Sequence, residues 1–206
     1  MKKNDFCQIC KKKPYSKEVL TRSKKKLIIF KCSKCDYEFF LKEKKRNLKN
    51  NKLDSFRLKN AGLKINEKKQ DILNGIQQSK EYMEMYLKGN KKLKILDIGC
   101  SWGYFLNQCK NRGHEVYGLE INKIRKNYVN KKLKIKCFEV IKDLPKIKFD
   151  KIFLFFSLEY IYKPQEFLES LKDLLKKNGE IIIYTPNKND HINQILDIKD
   201  YNNFFY

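Results

Sequence analysis

Arginine is scarce in this chain. Only 5 of its 47 basic residues are Arg, and the other 42 are Lys. Base readers and bidentate phosphate clamps favour guanidinium forks, so an arginine-based reader of nucleic acid is disfavoured. Long apolar runs are also lacking. None approaches the ~20 residues that a membrane span needs, and the longest, Ile152 to Leu158, already contains Ser157. The basic N-terminus is not followed by the apolar stretch of roughly 7–15 residues that marks a secretory signal. The expected location is therefore cytoplasmic. The dinucleotide fingerprint Gly-x-Gly-x-x-Gly is missing too. The one glycine turn after a buried strand reads Gly99-Cys-Ser-Trp-Gly103, which makes a nicotinamide-binding dehydrogenase a poor candidate.

What is present suffices for a real core. Of 206 residues, 41% are hydrophobic and 13% aromatic, against 34% charged. That balance argues against wholesale disorder and suits one full domain with or without a small module. The net charge is +23, and it is uneven. Residues 1–92 carry 27 basic and 10 acidic groups, whereas residues 93–206 carry 20 and 14. A basic N-terminal half could meet an anionic partner such as RNA, a nucleotide-sugar or a phosphorylated glycan. Lys, Asn and Ile together number 82. They share A/T-rich codons, so genome composition accounts for part of the lysine excess.

Three regions differ in pattern. Residues 1–40 hold four of the seven cysteines. Residues 41–92 are Lys-rich and polar. Within them Ile72, Ile76, Ser79, Met83, Tyr86 and Leu87 fall at helical spacing, predicting a helix over 67–88 that ends at Gly89. A plain connecting helix is the simpler reading, and packing on the following domain is its functional one. Residues 93–206 form the third region, which alternates short apolar runs with helical patterns as far as residue 185. Strands are expected at Leu93–Ile98, Val116–Leu119, Leu133–Phe138, Phe149–Phe156 and Glu180–Tyr184. Helices are expected between them. One carries Trp102, Phe105, Leu106 and Cys109 on one face. Another opens at Pro164, carries Phe167, Leu168, Leu171, Leu174 and Leu175, and closes at Asn178-Gly179. Such alternation predicts an α/β, doubly wound, mostly parallel sheet with helices on both faces.

Two constellations carry chemistry. Cys7-x2-Cys10 and Cys32-x2-Cys35 each place two thiolates on one tight knuckle, and two knuckles complete a tetrahedral zinc site. All four positions are Cys, so the Zn2+ would be structural, held in a small two-hairpin ribbon. Cys100, Cys109 and Cys137 sit in apolar contexts and read as core. The second constellation is Ile95-Leu-Asp-Ile-Gly-Cys-Ser-Trp-Gly103 followed by Glu120. A buried strand runs into Asp97, a glycine turn and a helix, and an acidic residue ends the next strand about 20 residues later, where a carboxylate can accept both ribose hydroxyls of a nucleoside.

On the strength of LDIGCSWGYFL (96–106), GLEIN (118–122), FDKIFLFFSLEYIYKP (149–164) and NGEIIIYTPN (178–187), the chain resembles the class I S-adenosylmethionine-dependent methyltransferases. It is most similar to a bacterial branch with an N-terminal four-cysteine zinc ribbon. The resemblance implies S-adenosyl-L-methionine as cofactor. Asp97, Gly99, Cys100, Ser101 and Gly103 would hold its methionine part. Glu120 would bind the ribose, Ile121 would cover an adenine face, and Glu139 would reach the adenine amine. Ser157 and Leu158 would line the methyl-transfer side. Ser101 stands where the family usually has a second Gly, and Tyr160 where it commonly has His. The family fold has seven strands. Here five are expected, and the chain ends soon after the fifth, so an open sheet edge, a completing partner or self-association is expected.

In an open parallel sheet the ligand lies at the carboxyl ends of the strands. That edge carries Tyr160 and His191, the candidate general bases, with Glu159 beside them. His114 precedes the second strand, at the opposite edge, and reads as structural. The expected function is methyl transfer to a small biosynthetic acceptor of sugar or nucleotide-sugar type. An RNA methyltransferase that grips RNA with its basic N-terminal region is the alternative, and an inactive cofactor-binding or scaffold remnant the third reading.

Overall fold

The computed structural model describes residues 6–7, 9–20, 26–40, 65–161 and 163–185. Contacts group the chain into two compact units. One takes in residues 1–46, 158–170 and 185–206, the other 47–157 and 171–184.

In the first unit, strands β1 (Tyr15–Leu20), β2 (Lys26–Lys31) and β3 (Glu38–Phe40) form an antiparallel sheet in chain order. Tyr15 pairs with Lys31 and Ile29 with Phe40. Ile29 of β2 is buried at 4% exposure. Cys7 and Cys32 are fully buried, with Cys10, Phe30 and Tyr37 packed against them. The 3-10 turn Leu158–Tyr160 also belongs to this unit.

The second unit is built on five strands: β4 (Lys94–Ile98), β5 (Glu115–Leu119), β6 (Lys136–Phe138), β7 (Phe149–Phe155) and β8 (Leu175–Tyr184). Their order is β6-β5-β4-β7-β8, and every pairing is parallel. The chain order reverses between β4 and β7, which makes that junction the topological switch point. Helices α1 (Ile65–Tyr86), α2 (Tyr104–Asn111) and α3 (Lys123–Lys131) flank the sheet, and α4 (Pro164–Lys172) follows β7. This is the expected Rossmann-like α/β arrangement.

Apolar runs become strands buried on both faces, as a covered parallel sheet requires. Ile95, Leu96, Ile152, Phe153 and Leu154 have no solvent exposure. One face carries the main core, in which Ile95, Phe105, Leu106, Cys109, Val116, Val129 and Phe153 meet Met83 and Leu87 of the α1 segment. Helix α1 is therefore more than a connector. Tyr82 stacks on Phe155 at 4.4 Å between ring centroids, and Gly75 lets α1 approach the Tyr104 ring.

Four element boundaries differ from expectation. Trp102 precedes α2 instead of lying on its face, because Gly103 at φ 73° is the turn that starts the helix. β6 begins at Lys136, after Lys134 turns through a positive φ of 54°. The α4 helix ends at Lys172, and Leu175 already pairs with Phe149. Asn178-Gly179 therefore closes no helix. It forms an excursion within β8, between the pairs Phe149–Leu175 and Lys151–Glu180. Gly179 fits there because a Cβ would lie 2.8 Å from the Phe149 carbonyl oxygen.

Strand β6 is an outer strand of three residues. The Phe138 carbonyl faces β5 and accepts from Glu120 N–H at 2.9 Å. The backbone of Cys137 points the other way, and the Asn130 side chain meets it. The Cys137 N–H donates to Asn130 Oδ1 at 3.0 Å, and Asn130 Nδ2 donates to the Cys137 carbonyl at 2.8 Å.

Candidate active site

At the carboxyl ends of β4 and β5 the loop backbone meets a carboxylate. The chain leaves β4 through Gly99 at φ 78°, Ser101 at φ 52° and Gly103 at φ 73°. Gly99 and Cys100 both donate their N–H to the Leu119 carbonyl, at 2.8 and 3.1 Å. This stitches the loop to the end of β5. Glu120, buried at 6% exposure, completes the stitching. Its Oε2 accepts from Ser101 N–H at 2.9 Å and its Oε1 from Asn122 N–H at 2.7 Å. One carboxylate thus holds the glycine loop and the β5–α3 turn in a fixed relation. Asn122 is the N-cap of α3, its Oδ1 accepting from Ile124 and Arg125 N–H. Asn is among the best residues at that position, so the cap is legible in the sequence.

Asp97 lies beneath the loop at 4% exposure. Burial, with the Glu120 charge adding, pushes its carboxyl up to about 8. Both carboxylates are nearly dry, so a positive charge brought beside them would favour their ionised forms.

Gly99 faces Ser157, the residue after the bend that ends β7. A Cβ on Gly99 would lie 2.3 Å from Ser157 Oγ, which itself donates to the Phe155 carbonyl at 2.9 Å. The close approach of the loop to Ser157 therefore requires glycine at residue 99. Gly118 has a similar role one strand over. A Cβ there would meet Cys100 Sγ at 2.7 Å and Cys137 Sγ at 3.1 Å. These two thiols lie 3.7 Å apart in the core. Their mutual contact and burial hold the Cys100 thiol well above its ordinary range, and burial raises that of Cys109.

The remaining predicted residues are placed as follows. Ile121 is 44% exposed beside Glu120. Glu139 follows β6, and its carboxylate pairs with Lys126 Nζ at 3.0 Å. Asp97, Gly99, Cys100, Ser101, Gly103, Glu120, Ile121, Glu139 and Ser157 all belong to the second unit. Tyr160, 39% exposed on its 3-10 turn, belongs to the first. Glu159 beside it accepts from Thr185 Oγ1 at 3.5 Å, and burial raises its carboxyl. His191 lies outside the described residues. His114 Nδ1 accepts from Leu93 N–H at 3.1 Å, a structural use at the amino edge of the sheet.

The four N-terminal cysteines converge. Their Sγ atoms all lie within 4.8 Å of one another, with Cys7–Cys35 at 3.5 Å and Cys10–Cys32 at 3.3 Å. Ligands about 2.3 Å from a tetrahedral Zn2+ stand roughly 3.8 Å apart, so the cluster has the right size. The two knuckles repeat one geometry. Cys7 N–H bonds the Lys12 carbonyl as Cys32 N–H bonds that of Tyr37. Lys11 N–H returns to Cys7 as Asp36 N–H returns to Cys32. Lys11 and Asp36, each just after the second cysteine, both have positive φ.

The chain is similar to several known proteins. The ubiquinone biosynthesis O-methyltransferase of Pelagibacter ubique (strain HTCC1062) is 33% identical over 107 residues, covering 48% of this chain and 44% of that protein. Its namesake from Alkalilimnicola ehrlichii (strain ATCC BAA-1101 / DSM 17681 / MLHE-1) is 25% identical over 118 residues, covering 53% and 48%. The chain thus spans just under half the length of these curated relatives. The crystal structure of the PH0226 protein from Pyrococcus horikoshii OT3 aligns with a TM-score of 0.48 at 20% identity, over 55% of this chain and 57% of that one. Residues 58–203 match the family model described as a methyltransferase domain. With that match over most of its length and a parallel sheet ordered around the β4–β7 switch point, the chain belongs to the methyltransferase-domain family, as a class I S-adenosylmethionine-dependent methyltransferase by fold.

Proposed function

We propose that this chain transfers a methyl group from S-adenosyl-L-methionine to a small biosynthetic acceptor. The observation that carries the reading is the loop Gly99–Gly103, fastened by Glu120 and allowed its close approach to Ser157 by Gly99. When bound, the sulfonium cofactor supplies an already activated methyl group, so positioning provides most of the acceleration. Asp97 and the backbone of Gly99, Cys100, Ser101 and Gly103 would hold the methionine portion. Glu120 would accept the ribose hydroxyls, with Ile121 against the adenine and Glu139 near its amine. Ser157 would border the acceptor side.

An oxygen acceptor must lose its proton during transfer. Tyr160 and His191 are our candidates for the base. Glu159 has the added support of a carboxyl raised by burial. The named relatives are O-methyltransferases, which supports oxygen as the acceptor atom. A sugar or nucleotide-sugar is the acceptor suggested by the resemblance to zinc-ribbon enzymes. RNA is the second reading, supported by the excess of lysine over residues 1–92.

Cys7, Cys10, Cys32 and Cys35 fit a structural Zn2+ by donor set and spacing. Residues 1–40 are proposed as the zinc-ribbon module, 41–92 as a Lys-rich linker and packing helix, and 93–206 as the cofactor-binding domain. Among the described residues no helix is long and apolar enough to cross a membrane, in keeping with a cytoplasmic site of action. A completing partner or second copy would add at the outer margin of β8.

Calorimetric titration of the zinc-loaded protein with S-adenosylmethionine tests the reading, with Glu120→Ala as control. Saturable binding that weakens in the variant supports it. Absence of binding by a folded protein overturns it and leaves the scaffold reading.

A further inference from the structure

The parallel sheet of the second unit sorts its charge between its two edges. All five strands run the same way, so the segments around their amino ends share one edge and those that leave them share the other. The amino-end segments, 88–94, 110–115, 131–136, 146–151 and 172–180, carry 16 basic and 4 acidic residues. The leaving segments, 97–104, 119–126, 138–144 and 155–157, carry 4 of each. A/T-rich codons raise lysine everywhere and do not choose an edge. Helix ends account for Lys110, Lys131 and Lys172, which complement the helix dipoles. Lys136, Lys146, Lys148 and Lys177 lie outside the last turn of any α-helix. Three of the four acids are already engaged. Glu115 pairs with Lys94 at 3.3 Å, Asp150 with Lys176 at 2.7 Å, and Glu180 with Lys151. Fourteen of the 16 basic side chains are exposed.

We infer that this amino edge is a docking surface for a nucleic-acid double helix, held through its phosphates and away from the Gly99–Gly103 loop. The surface is built of lysine, with Arg112 its one arginine. Lysine neutralises a phosphate as a point charge, without the fork that reads a base edge, so binding is independent of sequence. A single strand needs exposed rings to stack on. The one Phe, Tyr or Trp in the five segments, Phe149, is fully buried. A lipid surface takes apolar side chains beside the lysines. Within these described segments no large apolar residue is exposed, whereas Ile121, Val140, Phe156 (φ 49°) and Tyr184 are exposed at the carboxyl ends. Five strands about 4.8 Å apart span about 20 Å, over which a double helix presents roughly a dozen phosphate charges. A five-residue strand sets the two edges about 16 Å apart. The bound helix is therefore an anchor and not the methyl acceptor. The inference goes beyond the methyltransferase reading and needs the sheet but not the cofactor.

The test uses the zinc-loaded full chain and fluorescence anisotropy of labelled RNA and DNA duplexes of mixed sequence. Both should bind. Between about 50 and 200 mM salt, log affinity should fall against log salt with a slope near −5, as for about six phosphates neutralised. Combining Lys91→Ala, Lys132→Ala and Lys177→Ala should flatten that slope by about two to three and weaken binding at least about tenfold. The control combines Lys12→Ala, Lys13→Ala and Lys34→Ala, which removes the same charge from exposed positions of the first unit. It should cost less than about threefold, because a lysine that meets no phosphate releases no counterion. Saturating duplex should leave S-adenosylhomocysteine affinity unchanged, and phosphatidylglycerol vesicles should not displace the duplex. A slope near zero, equal losses from the two triple variants, or displacement by the vesicles would overturn the inference. So would competition between duplex and S-adenosylhomocysteine, which would move the contact to the carboxyl edge. Duplex binding without S-adenosylhomocysteine binding would sink the methyltransferase reading and leave this one standing.

Discussion

Gly99 and Ser157 meet where the sheet reverses its order, so closely that a Cβ on residue 99 would stand 2.3 Å from Ser157 Oγ. Neither partner can yield easily. Gly99 is held by its N–H bond to Leu119, and the Ser157 hydroxyl by its bond to the Phe155 carbonyl. Gly99→Ala also forces a side chain into φ 78°. The variant should fold, as read by circular dichroism, and lose at least about tenfold in S-adenosylmethionine affinity, the equivalent of 1.4 kcal/mol. Adding Ser157→Gly should recover part of the loss, because it removes the colliding atoms but not the backbone strain.

Asp97 predicts a pH dependence. Its carboxyl titrates near 8 in the folded protein, against an ordinary 3.8. Between those values the folded state holds a proton that the unfolded chain has released. Stability should therefore fall as pH rises from about 4 to about 8, by at most about 1.4 kcal/mol per unit. Asp97→Asn should flatten that slope in urea titrations at pH 5 and pH 8. The same linkage acts on the ligand. A cationic cofactor favours the ionised carboxylate, so parent affinity should rise from pH 6 to pH 8, and that rise should vanish in the variant. A parent profile that is flat in both measurements would show that Asp97 titrates elsewhere.

The cysteine cluster should bind one zinc ion per chain. Elemental analysis of protein purified without chelator checks the stoichiometry. Cys10→Ser or Cys32→Ser should lower the zinc content below one per chain. Removing the metal should expose amides of the β1–β3 sheet to hydrogen exchange, since the thiols of Cys7 and Cys32 are buried there with Phe30 and Tyr37 packed against them. Unchanged protection after chelation would exclude a structural metal.

Trp102 is the sole tryptophan and lies inside the Gly99–Gly103 loop. Its ring sits edge-on to Tyr128 at 5.4 Å and beneath the Arg125 guanidinium at 5.7 Å. Cofactor binding should change its emission saturably, with the midpoint found by calorimetry. Arg125→Leu should alter the starting spectrum by removing the cation–π contact. An emission that ignores saturating cofactor would place binding away from this loop.

Much of this architecture was legible in the sequence. The five strands, the glycine turn and the paired CxxC knuckles are written in local pattern, because burial on both faces and tight turns restrict residue type directly. Other features are not local. Asn178-Gly179 is as good a helix stop as it is a strand excursion. Only the pairing of Leu175 with Phe149 decides between them. Leu174 and Leu175 continue the apolar stripe of α4 in sequence but lie beyond its end. Nothing in the letter F at 156 signals a positive φ, and an Asn in the last turn of α3 does not announce its bonds to Cys137. The start of β6 is not legible because the left-handed residue, Lys134, is not one that favours that conformation.

The amide of Asn130 has a consequence for how this protein meets others. By engaging the outward N–H and carbonyl of Cys137, it ends the sheet chemically at β6, with a side chain in the role of a further strand. No incoming peptide can use that margin without first displacing the amide. Recruitment of foreign strands, whether in assembly, domain exchange or fibril seeding, is thereby directed away from β6. Replacing Asn130 with leucine would do more than loosen a helix contact: it would leave the outward N–H and carbonyl of Cys137 open to an incoming strand.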